Sequence, residues 1–235
     1  MSVIGGPRII NDGLILNLDV SNSKSYPGSG TVWTDLAQGL IFNSTGTVNP
    51  YVQYKGVTCL HFNGSGYWDC DTDYDLVDLA GDCTLEFWFN SEDVTTRKGI
   101  FEKRGTTYAS YQQELACTYE TSEYINFYTR YDSFSNGGSY TVVPGTWNQI
   151  AYKLSTGKTT AARRGWRSLN GSSWSESFNS RSTTPITPST NVIVGNNYAG
   201  TMDNGFIAMI KIYNRLLNDA EILENYNAAK ERFGL

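Results

Sequence analysis

The stretch from Gly205 to Tyr226, GFIAMIKIYNRLLNDAEILENY, changes its hydrophobic period midway. Phe206, Ala208, Ile210 and Ile212 fall on one side of an extended chain, and Ile207, Met209, Lys211 and Tyr213 on the other. Both faces are largely apolar, which predicts a strand inside a two-layer sheet structure. After Asn214 and Arg215 a helix start follows, with Asn218 as N-cap, Asp219 in the first turn and Glu221 three residues past the cap. Leu217 is placed to staple onto Ile222, and Ile222, Leu223, Tyr226, Ala229 and Phe233 give one apolar stripe. Gly234 is placed to end a helix spanning 218–233.

The remaining periodicity is that of strands. Leu14, Leu16, Leu18 and Val20 share one face of a first strand, with Ile15 on the other, and a long turn containing Pro27-Gly28 follows. Trp33, Leu36 and Leu40 to Phe42 read as core anchors where the chain crosses between sheets. Residues 58–70 read as a hairpin around an Asn63 to Gly66 loop, which sets Cys59 opposite Cys70. Thr84 to Asn90 alternates Leu85, Phe87 and Phe89 against Thr84, Glu86 and Trp88, a central strand. Gly99 to Lys103 is a short strand. In Tyr124 to Tyr131, Ile125, Phe127, Thr129 and Tyr131 form a core face, against Tyr124, Asn126, Tyr128 and Arg130. Ser133 to Ser139 reads as a turn, and Trp147, Ile150, Tyr152 and Leu154 return to the core. The expected architecture is an all-β, two-sheet antiparallel sandwich with one C-terminal α-helix. It forms a single domain over residues 13–235, preceded by an arm over residues 1–12.

Composition narrows the partners. Charged residues make up 17% and aromatics 14%, which suits broad aromatic sheet faces with polar loops. The net charge of −5 argues against nucleic acid or anionic lipid as a partner. Arg163, Arg164 and Arg167, the one dense basic cluster, read as a solvated loop face. No apolar run approaches the roughly 18 residues of a membrane span. The opening MSVIGGPRIINDG lacks a secretory pattern, so synthesis in a cytoplasm is expected.

Candidate chemistry is sparse. Cys59, Cys70, Cys83 and Cys117 show no metal-ligand spacing, and His61 is the only histidine. Cys59 and Cys70 are either reduced thiols packed as small hydrophobes or, in an assembled particle, a disulfide. Asp69, Asp71, Asp73 and Asp75 alternate as in a calcium loop, yet Tyr74 and Ala80 stand where an EF-hand needs glycine and glutamate. Glu86 is the carboxylate of most interest for an enzyme, since a glutamate opposite the core points into a groove. It lacks the same-face partner, about 5–5.5 Å away, that a retaining glycosidase requires. Tyr124, Asn126, Tyr128 and Arg130 suit a sugar platform, rings stacking on apolar sugar faces while Asn and Arg bond hydroxyls, or equally a subunit contact. The Ser/Thr/Arg-rich segment from Thr156 to Pro188, with Trp166, Arg167 and Trp174, is the candidate protein contact.

Six motifs in order carry a family resemblance: GLILNLD at 13–19, SYPGSGTVWTDL at 25–36, CLHFNG at 59–64, CTLEFWFN at 83–90, GTWNQIA at 145–151 and VIVGN at 192–196. With the closing IYNR and EI…YN pattern they resemble the laminin-G-like, concanavalin A-like jelly-roll family, which includes the pentraxins. The sequence RSLNG, ending at Gly171, stands where relatives resemble LYVNG in a hairpin. Pentraxin-like relatives hold calcium with an Asp-Asn pair and a Glu-Gln-Asp run. Here those places are Arg104-Gly105-Thr106 and Asn196-Asn197-Tyr198, leaving Asn196 with nearby Asp203 as the residual metal candidates.

The first two motifs look like stand-alone family members among virion proteins of tailed bacteriophages. That resemblance implies a non-enzymatic virion component, a capsid or tail decoration or a fibre-associated domain. Such a component is made in a host cytoplasm and works through contacts with other virion proteins, as a monomer or a homo-oligomer. A lectin-like module binding host-surface polysaccharide is the alternative, and a glycoside hydrolase a third reading that the missing carboxylate pair opposes.

Overall fold

A computed structural model of the chain describes residues 8–70, 82–92, 97–104, 113–121, 124–131, 133–156, 163–179, 191–197 and 199–235. Its strands run β1 (Leu14–Asp19), β2 (Val32–Thr34), β3 (Ile41–Gly46), β4 (Tyr51–Tyr54), β5 (Val57–Phe62), β6 (Gly66–Cys70), β7 (Cys83–Ser91) and β8 (Lys98–Arg104). They continue with β9 (Gln113–Glu120), β10 (Tyr124–Tyr131), β11 (Ser133–Thr141), β12 (Asn148–Thr156), β13 (Arg163–Leu169) and β14 (Ser175–Asn179). The last are β15 (Val192–Val194), β16 (Asn196–Asn197), β17 (Gly200–Thr201) and β18 (Gly205–Tyr213), before helix α1 (Asp219–Ala229).

Two antiparallel sheets form a jelly-roll sandwich. The first runs β14-β13-β12-β7-β18-β5-β4, with β1 also on β18. The second runs β11-β10-β9-β8-β15-β6-β3-β2. β7 and β18 sit mid-sheet and are buried at every position, which explains their two apolar faces. Leu85, Phe87 and Phe89 point into the inter-sheet core with Leu16, Leu18, Ile150, Tyr152, Ile210 and Ile212. In that core the Phe127 ring stacks on Tyr152 at 4.4 Å, and Trp33 meets Trp68 edge-on at 5.8 Å.

The other face of the first sheet carries a second apolar cluster that includes Cys59, Trp88, Trp147, Phe206, Met209, Ala229 and Phe233. The C-terminal helix docks there. Asn218 accepts from the Glu221 amide at 3.0 Å while Glu221 accepts from the Asn218 amide at 2.8 Å, a closed capping box. The α-helix stops at Ala229, and a 3₁₀ turn carries the chain to Gly234 in the left-handed region. Leu223, expected on the buried stripe, is 45% exposed, and Asn225 takes the buried place instead. An amide wins that place because the sheet beneath presents a carboxylate and a phenol to it.

Two local expectations are corrected. Residues 58–70 are not a hairpin: β5 belongs to the first sheet and β6 to the second. Asn63 to Ser65 is therefore an arch between layers, and Gly64 donates to the Met202 carbonyl at 2.9 Å. Cys59 lies in the outer cluster and Cys70 in the inter-sheet core, so they do not face each other. All four cysteines are buried thiols, and burial pushes Cys59 up to about 12. Ser133 to Ser139, expected as a turn, is strand β11, because its backbone pairs with β10 from Ser133 to Thr141 despite Gly137-Gly138. The expected acidic loop at Asp71, Asp73 and Asp75 lies outside the described residues. The arm over residues 1–12 is anchored at its far end: Ile10 bonds Asn225 and Tyr213, and Arg215 pairs with Asp12 at 2.9 Å.

Two stability predictions follow from this packing. Gly195 ends β15 with φ +83°, and a Cβ there would overlap the Phe62 ring. Gly195→Ala is expected to cost about 2–4 kcal/mol in urea unfolding. Arg215 grips Glu221 through two bonds of 2.9 and 2.7 Å and holds its carboxyl below the ordinary 4.5. The unfolded chain then binds more protons than the native state between the two values, so the pair's stabilisation is complete above pH 4.5 and fades as pH falls through the lowered value. Glu221→Gln is expected to lower neutral-pH stability by about 1 kcal/mol, with the gap closing in acid when followed by calorimetry.

Candidate functional site

The outer face of the first sheet gathers most of the chain's unusual chemistry. Alternation along β7 puts Thr84, Glu86, Trp88 and Asn90 on this side, and register brings Lys211 and Met209 of β18 beside Glu86 and Trp88. Glu86 and Lys211 are each only 1% exposed and form an ion pair at 3.0 Å. The second Glu86 oxygen accepts from Asn225 at 2.8 Å, and the same amide nitrogen donates to the Tyr213 hydroxyl at 2.9 Å. Tyr213 donates onward to the Ile10 carbonyl, and Asn225 accepts from the Ile10 amide. Burial holds the Tyr213 phenol above its ordinary value, so it keeps the proton it donates. Glu86 therefore does not line an open groove as expected: helix α1 covers it and fixes both its oxygens.

Beside this polar centre the face is aromatic. Phe233 stacks on Trp88 at 3.8 Å and lies 5.2 Å from Trp147. Further along, the half-buried rings of Tyr54 and His61 stack on Phe206 at 3.8 and 4.6 Å. Tyr54 donates to Glu92 at 2.7 Å, and burial, helped by this bond, pushes its phenol up to about 12. Burial holds His61 below its ordinary value against the pull of Glu92. Lys55, at the turn after β4, donates to the Gly145 carbonyl and clasps that turn across the end of the sheet.

At the opposite side of the face, Lys153 lies over the rings of Trp174 at 4.5 Å and Trp166 at 5.4 Å and donates to the Leu217 carbonyl at 2.9 Å. Burial lowers its pKa, while Asp219 and Glu221 pull the other way. The Trp174 backbone amide donates to Asp219 at 3.0 Å, tying this indole to the helix start. Trp166 and Trp174 are thus brought together. Arg167 is not, because it pairs with core-facing Tyr152 in register and falls on the other face. The RSLNG stretch does turn a hairpin, with Asn170 at φ 51° and Gly171 at φ 69° between β13 and β14.

The remaining expected site residues are more scattered. Tyr124 is partly exposed, whereas Asn126 is only 4% exposed, so this position of the expected sugar platform does not face solvent. Tyr128 and Arg130 pair through their backbones with Asn136 and Phe134 of β11, and their side chains lie outside the described residues. Asp203 is taken by Lys98 at 3.0 Å, and Asn196 pairs with Thr201 between β16 and β17. No group of three His, Cys, Asp or Glu among the described residues is placed to hold a metal, and an Asp203 already paired with an ammonium does not fit a calcium ligand set. Sequence reading missed Tyr54, His61, Asn90 and Asn225. Alternation from Trp88 to Asn90 was the sequence signal for Asn90, whereas Tyr54 and His61 meet Phe206 through strand pairings that the sequence does not display.

Comparison with known proteins agrees on the fold. A family model described as the Concanavalin A-like lectin/glucanases superfamily matches residues 62–223. No curated protein matches the chain in sequence. Trypanosoma rangeli sialidase superposes with a TM-score of 0.65 at 14% identity, over 94% of this chain and 33% of that one. The binding domain of botulinum neurotoxin DC, in complex with rat synaptotagmin II, gives 0.68 at 13% identity, over 93% and 52%. Domain 4 of AbnA, an extracellular arabinanase from Geobacillus stearothermophilus, in complex with arabinotriose, gives 0.63 at 15% identity, over 91% and 98%. The chain therefore spans a third of the sialidase and about half of the toxin domain.

The buried pair makes its own prediction. Glu86→Ala strands the Lys211 ammonium and is expected to cost about 3–5 kcal/mol in urea unfolding. Adding Lys211→Met is expected to recover most of that loss.

Proposed function

Because the chain belongs to the concanavalin A-like lectin/glucanase superfamily, we propose that it is a non-enzymatic binding module. The observation that carries this reading is Glu86: this glutamate on the outer side of central strand β7 is neutralised by Lys211, bonded by Asn225 and roofed by helix α1. A carboxylate so held neither reaches a glycosidic oxygen nor activates water. Among neighbours of the same fold, one is a domain in complex with arabinotriose and one a toxin binding domain in complex with rat synaptotagmin II, so binding of a sugar or of a protein is at home on this architecture.

The finer reading is a structural protein of a tailed-phage virion, a capsid or tail decoration or a fibre-associated component, adhering to host-surface polysaccharide. It is supported by the resemblance of Gly13 to Asp19 and Ser25 to Leu36 to virion members of the family. Under this reading the part-exposed indoles of Trp166 and Trp174 at the sheet edge take the contact with other virion proteins or a second copy.

The test is a glycan array on the purified chain, with calcium and with chelator, together with an assay for released reducing ends. Saturable binding to a bacterial polysaccharide, insensitive to chelator and without sugar release, is expected. Turnover of a bound glycan would return the protein to the hydrolases.

A further inference from the structure

The ion pair under helix α1 leaves one group poorly served. The Lys211 side chain is 1% exposed, so water does not reach its three ammonium hydrogens. Among the described residues its Nζ bonds Glu86 Oε1 at 3.0 Å and has no other acceptor. A buried cation ordinarily needs its remaining protons satisfied as well. The rest of the cluster is engaged. Asn225 Nδ2 donates to Glu86 Oε2 at 2.8 Å and to the Tyr213 hydroxyl at 2.9 Å, and Asn225 Oδ1 accepts from the Ile10 amide at 2.8 Å. An amine and a carboxamide thus hang from the two oxygens of one carboxylate, with all three side chains buried.

This arrangement holds every part needed to make an amide. We propose that Lys211 and Asn225 join in an isopeptide bond, formed by the protein itself with Glu86 as the proton carrier. Desolvation opposes both charges of the pair, and passage of one proton from Nζ to Oε1 along their hydrogen bond leaves a neutral amine beside a neutral acid. The amine lone pair attacks Asn225 Cγ, whose oxygen faces the Ile10 N–H, a donor fixed where negative charge develops. Attack requires Nζ about 3–3.5 Å from Cγ, and the flexible stem of Lys211 supplies the movement by turning from Oε1. As the Nζ–Cγ bond forms and the Cγ–Nδ2 bond breaks, Glu86 gives one proton to Nδ2 and takes a second from Nζ. Nδ2 leaves as ammonia and Glu86 ends as a neutral acid, so two buried charges disappear and no other reactant is consumed. The product also mends the deficit: Nζ keeps a single hydrogen, and Glu86 already stands as its acceptor. The ion pair is the state of the newly folded chain. Closure ties central strand β18 to helix α1 and constrains the unfolded chain as a disulfide does.

The test is the mass of the full chain, held at neutral pH until that mass is constant and then measured under denaturing conditions. The wild type is expected to fall short of its sequence mass by one ammonia, and proteolysis to release a branched peptide joining Lys211 to Asn225. Glu86→Gln, which keeps the shape but cannot take up the proton, and Lys211→Met are both expected at full mass. A wild type at full mass overturns the proposal. A shortfall carried on an unbranched peptide overturns it too, since an Asn-Gly step such as Asn204-Gly205 loses the same ammonia by cyclising on itself. So does a Glu86→Gln variant that closes as fully as the wild type. If either variant fails to fold, the presence or absence of the branched peptide in the wild type decides alone.

Discussion

An ion pair with both members almost wholly out of water, Glu86 with Lys211, is the constraint on which the first sheet's outer face is built. Desolvating two charges costs several kcal/mol each, and their mutual attraction repays it only if the remaining oxygens and protons find partners. Helix α1 supplies the missing partner through Asn225, and the same side chain takes the Ile10 amide and the Tyr213 hydroxyl. One amide therefore joins the entering segment, two central strands and the closing helix. The helix is held by polar necessity at its middle and by stacked rings at its end, where Phe233 lies on Trp88.

That docking decides which surfaces remain for recognition. The helix seals the middle of the face, so the carboxylate there is structural, while the two ends stay partly open. One end offers Tyr54 and His61 stacked on Phe206, the other the indoles of Trp166 and Trp174 about Lys153. Both ends are rigidly backed by strands, and both combine apolar area with fixed polar atoms, the combination that specific binding requires.

Much of this was legible in the sequence, and the failures share a cause. The alternation of β7, the capping box at Asn218 and the stop at Gly234 are local signals that tertiary context did not override, whereas a bulge between Ile207 and Met209 breaks the expected alternation of β18 and puts Phe206 and Ala208 on the outer face with Met209. The Asn63 to Gly66 loop is also locally a good hairpin turn, yet whether two strands stay in one sheet depends on which distant strands compete for their edges. β5 goes to β18 and β6 to β15, so Cys59 and Cys70 part company. Asn225 reads as a polar interruption of an apolar stripe until the Glu86 carboxylate beneath it is known. The platform on β10 was drawn from alternation alone, which cannot tell that Asn126 is covered.

The single edge of β18 that receives β1 also receives β5, the first along Met209 to Tyr213 and the second along Gly205 to Ile207. Among the described residues strand β1 has no other partner in either sheet. During synthesis it must therefore wait, apolar and unpaired, until nearly two hundred residues have been made, as Leu14 pairs with Tyr213. Closure of the first sheet is a late event of high contact order, which makes for slow folding and an exposed edge during the delay. A nascent chain of this kind depends on being shielded or diluted while it waits, so its yield in a crowded cell is governed by the timing of its last strand as much as by the stability of the finished sandwich.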